Sequence, residues 1–467
     1  MDRRHFSRIL GGALGASPFC WKLMGATSSL GASTVPSGPV GAMSPSATPS
    51  PWESLDQDEP LRIDGERLNG WIQEMARFGA RPEGGLDRVA FSDADLEARK
   101  YVRHLMDETG LAVRMDVAGN LFGRLQGGVG SLPPLMVGSH VDSVPAGGIY
   151  DGPLGVLSAL ECARRLREAG LRPRHSIDVA VFVNEEGGKT GSRVMAGEFR
   201  PQELELESAS GFTIREGIRR LGGDPDRLEE ARVGPGEVAG FLELHIEQGA
   251  VLERSGTSIG VVEGIVGIRR WNAVIHGAAN HAGTTPMNQR RDALLGGARL
   301  VEAVNRVANS LSGSQVATVG RIQAEPGAPN VIPGRVTLSI EIRALEMERI
   351  QEVMDGIEEE ARRIETENGT PIEIEEFYLS AGAPTDERFR AWVEEAASDL
   401  GLSHRRMPSG AGHDAQAVAH FAPVGMVFIP SVGGLSHHPD EYSRPEDIEA
   451  GGNVLLGALM KADAGLD

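Results

Sequence analysis

The chain has 467 residues, too many for one ordinary core, so two or more domains are expected. Hydrophobic residues make up 40% and charged residues 24%, which excludes a wholly disordered chain. Sixty-six acidic residues against 46 basic ones give a formal charge of −20 and exclude a broad nucleic-acid-binding face, while only two cysteines, Cys20 and Cys162, exclude a disulfide framework or a thiolate-rich zinc module.

Arg3-Arg4 precede a short Gly/Ala-rich apolar run, Ile9 to Ala16, in the manner of a twin-arginine export signal. The run is far shorter than the roughly 20 residues of a membrane span. Export of a folded protein to the periplasm is expected, without stable membrane association afterwards. The Ser/Ala/Thr/Pro/Gly-rich stretch to Pro60 reads as a flexible linker, so residues 1–60 are assigned to signal and linker.

Trp71, Ile72, Met75 and Phe78 stand at helical spacing and predict helices between Leu61 and Tyr101. Leu135–His140 and Ile177–Val183 read as buried strands, with a helix over 152–169 between them. Phe241–Ile246 is a third strand. Alternating strands and helices predict an α/β fold with a mixed sheet. After Ser255 the style changes. A strand over 259–275 and a helix over 292–309 are followed by strands 316–322 and 336–342. A helix over 346–367 and a strand over 372–377 complete a ferredoxin-like β-α-β-β-α-β insert. A helix around Glu394 and the strand 424–429 return to the first style. The predicted organisation is a catalytic domain over 61–255 and 383–467, interrupted by an α+β insert over 256–382.

Polar clusters follow the predicted strands, where ligands of open α/β sheets gather. They are Gly138-Ser139-His140-Val141-Asp142 running to Asp151-Gly152, then Val183-Asn184-Glu185-Glu186-Gly187, Glu243-Leu244-His245-Ile246-Glu247-Gln248-Gly249, and Leu435-Ser436-His437-His438-Pro439-Asp440-Glu441. A single cluster of this kind is usually a structural histidine or a solvated turn. Four of them supply the imidazole and carboxylate ligands that zinc, manganese, cobalt or nickel accept without thiolates. No phosphate-binding P-loop or strand-linked G-x-G-x-x-G is present.

Together with His281-Ala282-Gly283-Thr284-Thr285-Pro286-Met287, these segments resemble the M20 metallohydrolase superfamily, in its amidase/hydantoinase/carbamoylase branch. The resemblance implies a zinc-peptidase-like catalytic domain with an inserted lid and dimerisation domain. It implies two divalent metals, with His140 and His245 on one, Glu186 and His437 on the other, and Asp151 between them. His438 remains an alternative to His437. Glu185 matches the general base, and Asp142 matches an acid that orients the ring of His140. His281 matches a carbonyl-polarising residue, supplied across the dimer in several relatives. Gln248, Asn330 and Arg343 match substrate-binding residues. His413 and Asp414 match a further motif whose role the residues alone do not give.

The implied activity is hydrolysis of a non-peptide C–N bond in a small anionic ureido substrate, an N-carbamoyl-L-amino acid or allantoate. The Val144–Gly148 run leans towards the carbamoyl side. The alternatives are an aminoacylase or peptidase of the same superfamily, and an exported binding protein that kept the fold without the chemistry.

Overall fold

The computed structural model describes residues 61–466. The signal and linker expected over residues 1–60 lie outside the described residues. The first part runs α1 (Gly65–Met75), α2 (Asp93–Thr109), β1 (Ala112–Met115), β2 (Leu121–Leu125), β3 (Leu135–His140), α3 (Pro153–Glu168), β4 (Ile177–Phe182), α4 (Thr190–Met195), α5 (Ile214–Leu221), β5 (Gly240–Ile246), α6 (Val251–Ser255) and β6 (Ile259–Ile265). The middle runs β7 (Gly267–His276), β8 (Asn280–His281), α7 (Ala293–Ser310), β9 (Val316–Glu325), β10 (Val331–Ile332), β11 (Arg335–Ala344), α8 (Met347–Asn368) and β12 (Ile372–Ser380). The last part runs β13 (Ala383–Pro384), α9 (Glu387–Asp399), β14 (His404–Ser409), α10 (Asp414–Val418), β15 (Val424–Ile429) and α11 (Pro445–Gly465).

The main sheet has nine strands in the order β1-β2-β4-β3-β5-β15-β6-β13, with β14 also beside β6. Its centre, β4-β3-β5-β15, is parallel throughout. All four carboxyl ends therefore open on one edge. These strands are buried along their whole length, as strands covered on both faces must be. Leu157 and Leu160 of α3, Leu455 and Leu459 of α11, and Ile72 of α1 pack one face. Phe182, Phe241, Phe428 and Val418 fill the other. Each such large side chain contributes about 1.5–3 kcal/mol through burial. Local signals set the helix ends. Ser92 caps α2 by accepting the Asp95 N–H, and Gly110, at φ +72°, ends it in the left-handed conformation.

The second sheet is antiparallel, in the order β12-β7-β11-β9. That is the fourth-first-third-second order of a ferredoxin-like unit. Trp271, Ala273 and Ile275 alternate inward on β7 and meet Leu300 and Val304 of α7 and Ile350, Val353 and Ile357 of α8. This unit has its own core. The stretch read as one strand over 259–275 is two, because β6 stays in the main sheet and only β7 enters the second. The crossing therefore falls at Val266-Gly267, eleven residues after the expected boundary of 256. The stretch is rich in β-branched residues on both sides of the crossing, so strand propensity alone does not show where it changes sheets. Here the mark is Gly267, which lies beside the returning chain at Gly382. A Cβ on either glycine would come within 3.0 Å of the other's amide nitrogen. Among the described residues no helix is long and apolar enough to cross a membrane.

Candidate active site and metal centre

The carboxyl ends of β3, β4, β5 and β15 bring the four polar clusters into one pocket of 810 Å³. His140 is the last residue of β3 and His245 lies near the end of β5. The Nδ1 of His140 donates to the Asp142 carbonyl at 3.0 Å, and the Nδ1 of His245 to the Ile246 carbonyl at 2.9 Å. A carbonyl only accepts, so each Nδ1 carries a proton and each Nε2 is turned into the pocket. Those Nε2 atoms face Oδ1 of Asp151 at 3.6 Å and 3.2 Å. His437 Nε2 stands 3.5 Å from the other Asp151 oxygen, Oδ2, and 3.3 Å from Glu186 Oε2. His438 turns instead to Asp440. Of the two, it is His437 that lies beside Asp151 and Glu186.

Two groups of ligand-type atoms, His140/Asp151/His245 and Asp151/Glu186/His437, share Asp151. Bond lengths of about 2.0–2.1 Å in a tetrahedral site separate ligand atoms by about 3.3–3.4 Å. The observed 3.2–3.6 Å separations bracket that value. His245 Nε2 and Glu186 Oε1 are buried without a hydrogen-bond partner. Buried polar atoms are normally satisfied, so these orphans fit an ion. The residues present therefore suit two N/O-ligated divalent cations.

Charge in the pocket follows from crowding. Burial alone would raise the Asp151 carboxyl, but the rings of His245 and His140 hold it well below the usual range. Burial pushes Glu185 well above the usual carboxylate range, and Asp414 and Glu186 add to it. A carboxylate with raised affinity for protons, beside the ligand groups and open to the pocket, is suited to general-base work. Its Oε2 lies 3.8 Å from His140 Nε2.

The loops that deliver these groups are strained. Six non-glycine described residues have positive φ, and Asn184, Lys189, Gln248 and His437 are at this site. Such strain collects where surrounding structure over-determines a functional geometry. Gly152, at φ +87°, permits a second close approach, since a Cβ there would lie 2.5 Å from the His140 ring. The Asp142 carboxylate does not take the His140 ring as expected. It stands 3.7 Å away and instead accepts the backbone N–H groups of Glu185 and Glu186 at 3.3 and 3.2 Å. The Asp142 main-chain carbonyl orients the ring.

Gln248 Nε2 donates to Asp151 Oδ2 at 2.6 Å, so this residue lies against the shared carboxylate. Arg343 lines the pocket, with Nε on Glu341 and Nη1 on the Gly410 carbonyl. His281 and Asn330 do not reach it within this chain. They are exposed, on the paired β8 segment and the turn before β10, next to the end of β11 where Arg335 pairs with His276. Arg343 pairs with Ile268 at the other end. Eight residues of strand separate the ends by about 27 Å.

Three members of the strand-end clusters, Glu441, Ser436 and Glu243, carry roles that the sequence did not give. Glu441 accepts the backbone N–H groups of Tyr150 and Asp151 at 3.0 and 3.1 Å, and the Ser436 hydroxyl at 3.0 Å. Ser436 also donates to Asp151 Oδ2 at 2.7 Å. Glu243 joins the Ser139 hydroxyl before His140 to the Ala415 N–H of α10. His413 stacks edge-on against His245 with ring centres 4.5 Å apart, and burial, with His245 beside it, holds its pKa well below the usual imidazole range. Asp414 accepts from Ser192, which braces α10 on α4. The sequence marked Glu441 only as the last residue of the Leu435–Glu441 cluster, four residues after His437.

The family model for peptidase family M20/M25/M40 matches residues 136–461. The chain is 39% identical over 408 residues to the N-carbamoyl-L-amino acid amidohydrolase of Geobacillus stearothermophilus, covering 86% of this chain and all of that one. It is 35% identical over 400 residues to the allantoate amidohydrolase of Bacillus subtilis, covering 84% and 97%. A crystal structure of an amidase of the hydantoinase/carbamoylase family from Burkholderia multivorans superimposes with a TM-score of 0.81 at 38% identity, covering 86% and 98% of the two chains. With its zinc-peptidase-like sheet, its clustered strand-end ligands and these similarities, the chain belongs to peptidase family M20/M25/M40, within the amidase, hydantoinase/carbamoylase branch, as a hydrolase of C–N bonds other than peptide bonds.

Proposed function

We propose that the protein is a dinuclear metal amidohydrolase acting on a small anionic ureido substrate of the N-carbamoyl-L-amino acid or allantoate type. One observation carries the two-metal reading. The two oxygens of Asp151 face two separate ligand groups, His140 with His245 and Glu186 with His437. Two divalent cations held there would supply Lewis acidity and lower the pKa of water towards neutrality. The chain's own residues do the rest. Glu185 takes a proton from the attacking water and returns it to the nitrogen that leaves when the C–N bond breaks. Asp142 fixes the backbone of Glu185 and Glu186. Gln248 and Ser436 hold Asp151 in place.

We infer that His281 and Asn330 act on the substrate from a second copy of the chain, since about 27 Å of strand separates them from Arg343 in one copy. A monomer with full activity would refute this. Periplasmic location, after export by the Arg3-Arg4 signal, completes the reading.

The deciding assay is ammonia release by metal-reconstituted protein from a panel of N-carbamoyl amino acids, allantoate and ureidoglycolate. Release from one or more of them is expected. Silence on all of them, with metal bound, would overturn the reading.

A further inference from the structure

The cations that line the pocket are not equally available. Arg343 has its Nε on Glu341, which also pairs with Arg270. Arg193 and Arg200 both pair with Glu203. His420 sits 3.1 Å from Glu198. Lys189 lines the same pocket with no carboxylate in ion-pair reach among the described residues. Its ammonium donates to Gln416 Oε1 at 2.7 Å. An ammonium has three N–H donors, so two are left for a ligand.

Its setting is built. Gln416 is 7% exposed, and its amide nitrogen donates to the Ala381 carbonyl at 2.6 Å and to Ser380 Oγ at 3.3 Å. Those bonds turn the amide oxygen to the lysine. The Lys189 N–H donates to the Glu185 carbonyl at 2.9 Å, which ties the residue to the proposed base. Its backbone is held at φ +56°. The facing residue, Gly412, leaves room for the ammonium, since a Cβ there would lie 2.8 Å from Nζ.

We propose that Lys189 is a specificity-determining residue whose ammonium pairs with a carboxylate of the substrate. This rests on the ureido-substrate reading and deepens it. Arg343 and Arg270 share one carboxylate, Glu341, while the Lys189 ammonium pairs with none among the described residues, so Lys189 adds a second available positive charge to the pocket beside Arg343.

The test uses full-length, metal-loaded wild type, Lys189→Met and Lys189→Arg. Each is assayed on an N-carbamoyl amino acid that the wild type turns over and on its carboxamide, with metal content measured. Losing a hydrogen bond between charged groups lowers the acid-over-amide preference in kcat/KM by about ten- to a hundredfold in Lys189→Met. Lys189→Arg restores part of that preference. An equal fall on acid and amide, or a shifted pH profile with the preference intact, would overturn the proposal and leave Lys189 as a structural or electrostatic neighbour of Glu185. Wild type that releases ammonia from no ureido compound would overturn the amidohydrolase reading itself, and this inference with it.

Discussion

Replacing Glu441 tests how the shared carboxylate is held. Its Oε1 accepts two buried backbone N–H groups, those of Tyr150 and Asp151. Its Oε2 accepts Ser436, which also binds Asp151 and precedes His437. One side chain therefore fixes Asp151 and the His437 loop together. Glu441→Ala leaves two N–H donors without partners, each costing about 1–3 kcal/mol, so a stability loss of roughly 2–6 kcal/mol is expected. Glu441→Gln keeps one oxygen for both N–H groups. Its amide can face Ser436, whose hydroxyl still donates to Asp151, so a loss under about 1 kcal/mol is expected. The assay is denaturant unfolding with metal content on the same samples. The alanine variant should also hold less metal. An alanine variant within about 1 kcal/mol of wild type, or a glutamine variant as damaged as alanine, would refute the reasoning.

Gly152→Ala drives a Cβ against the His140 ring and strains a residue at φ +87°, so metal content measured by mass spectrometry should fall sharply. Metal-free protein should respond to pH through His437, whose pairing with Glu186 raises it to about 9 against about 6.5 in the unfolded chain. That pairing is fully present below about 6.5 and is lost as pH rises through about 9, so melting temperature should drop across this window in chelator-treated protein. Metal-loaded protein, whose ligands are already deprotonated, should lack the drop. Cys162 is buried in α3 and burial pushes its thiol up, so peptide mapping after thiol labelling should find it unmodified until the protein is denatured.

The parallel core was legible because β3, β4, β5 and β15 are mostly apolar runs that end in or lead into polar residues. His140, Glu185 and His245 stand at or just after those ends, where spacing alone points to them. The change of sheet at Gly267 was not legible, because β6 and β7 follow each other with only Val266 between them, and the mostly buried β6 and the alternating β7 read together as one strand-forming stretch. Helix α11 was missed for a related reason. Its Gly451 and Gly452 weaken the helical signal, yet they let the helix sit on Ile429 and Ile63, where a Cβ would come within 2.4 and 2.5 Å. Glu441 acts on residues 290 positions earlier in the chain. Lys189 stands out only once the carboxylates paired with its neighbours are known. Residue type marks a possible donor or charge, and only the packed structure shows whether it is already matched.

The most direct test of the central claim is Glu185→Gln, with metal stoichiometry and ammonia release measured on one sample. The expected result is two metal equivalents per chain, as in wild type, with turnover reduced by about a hundred- to ten-thousandfold. Near-wild-type turnover, or loss of the metals together with the activity, would contradict the role given to Glu185 in this site.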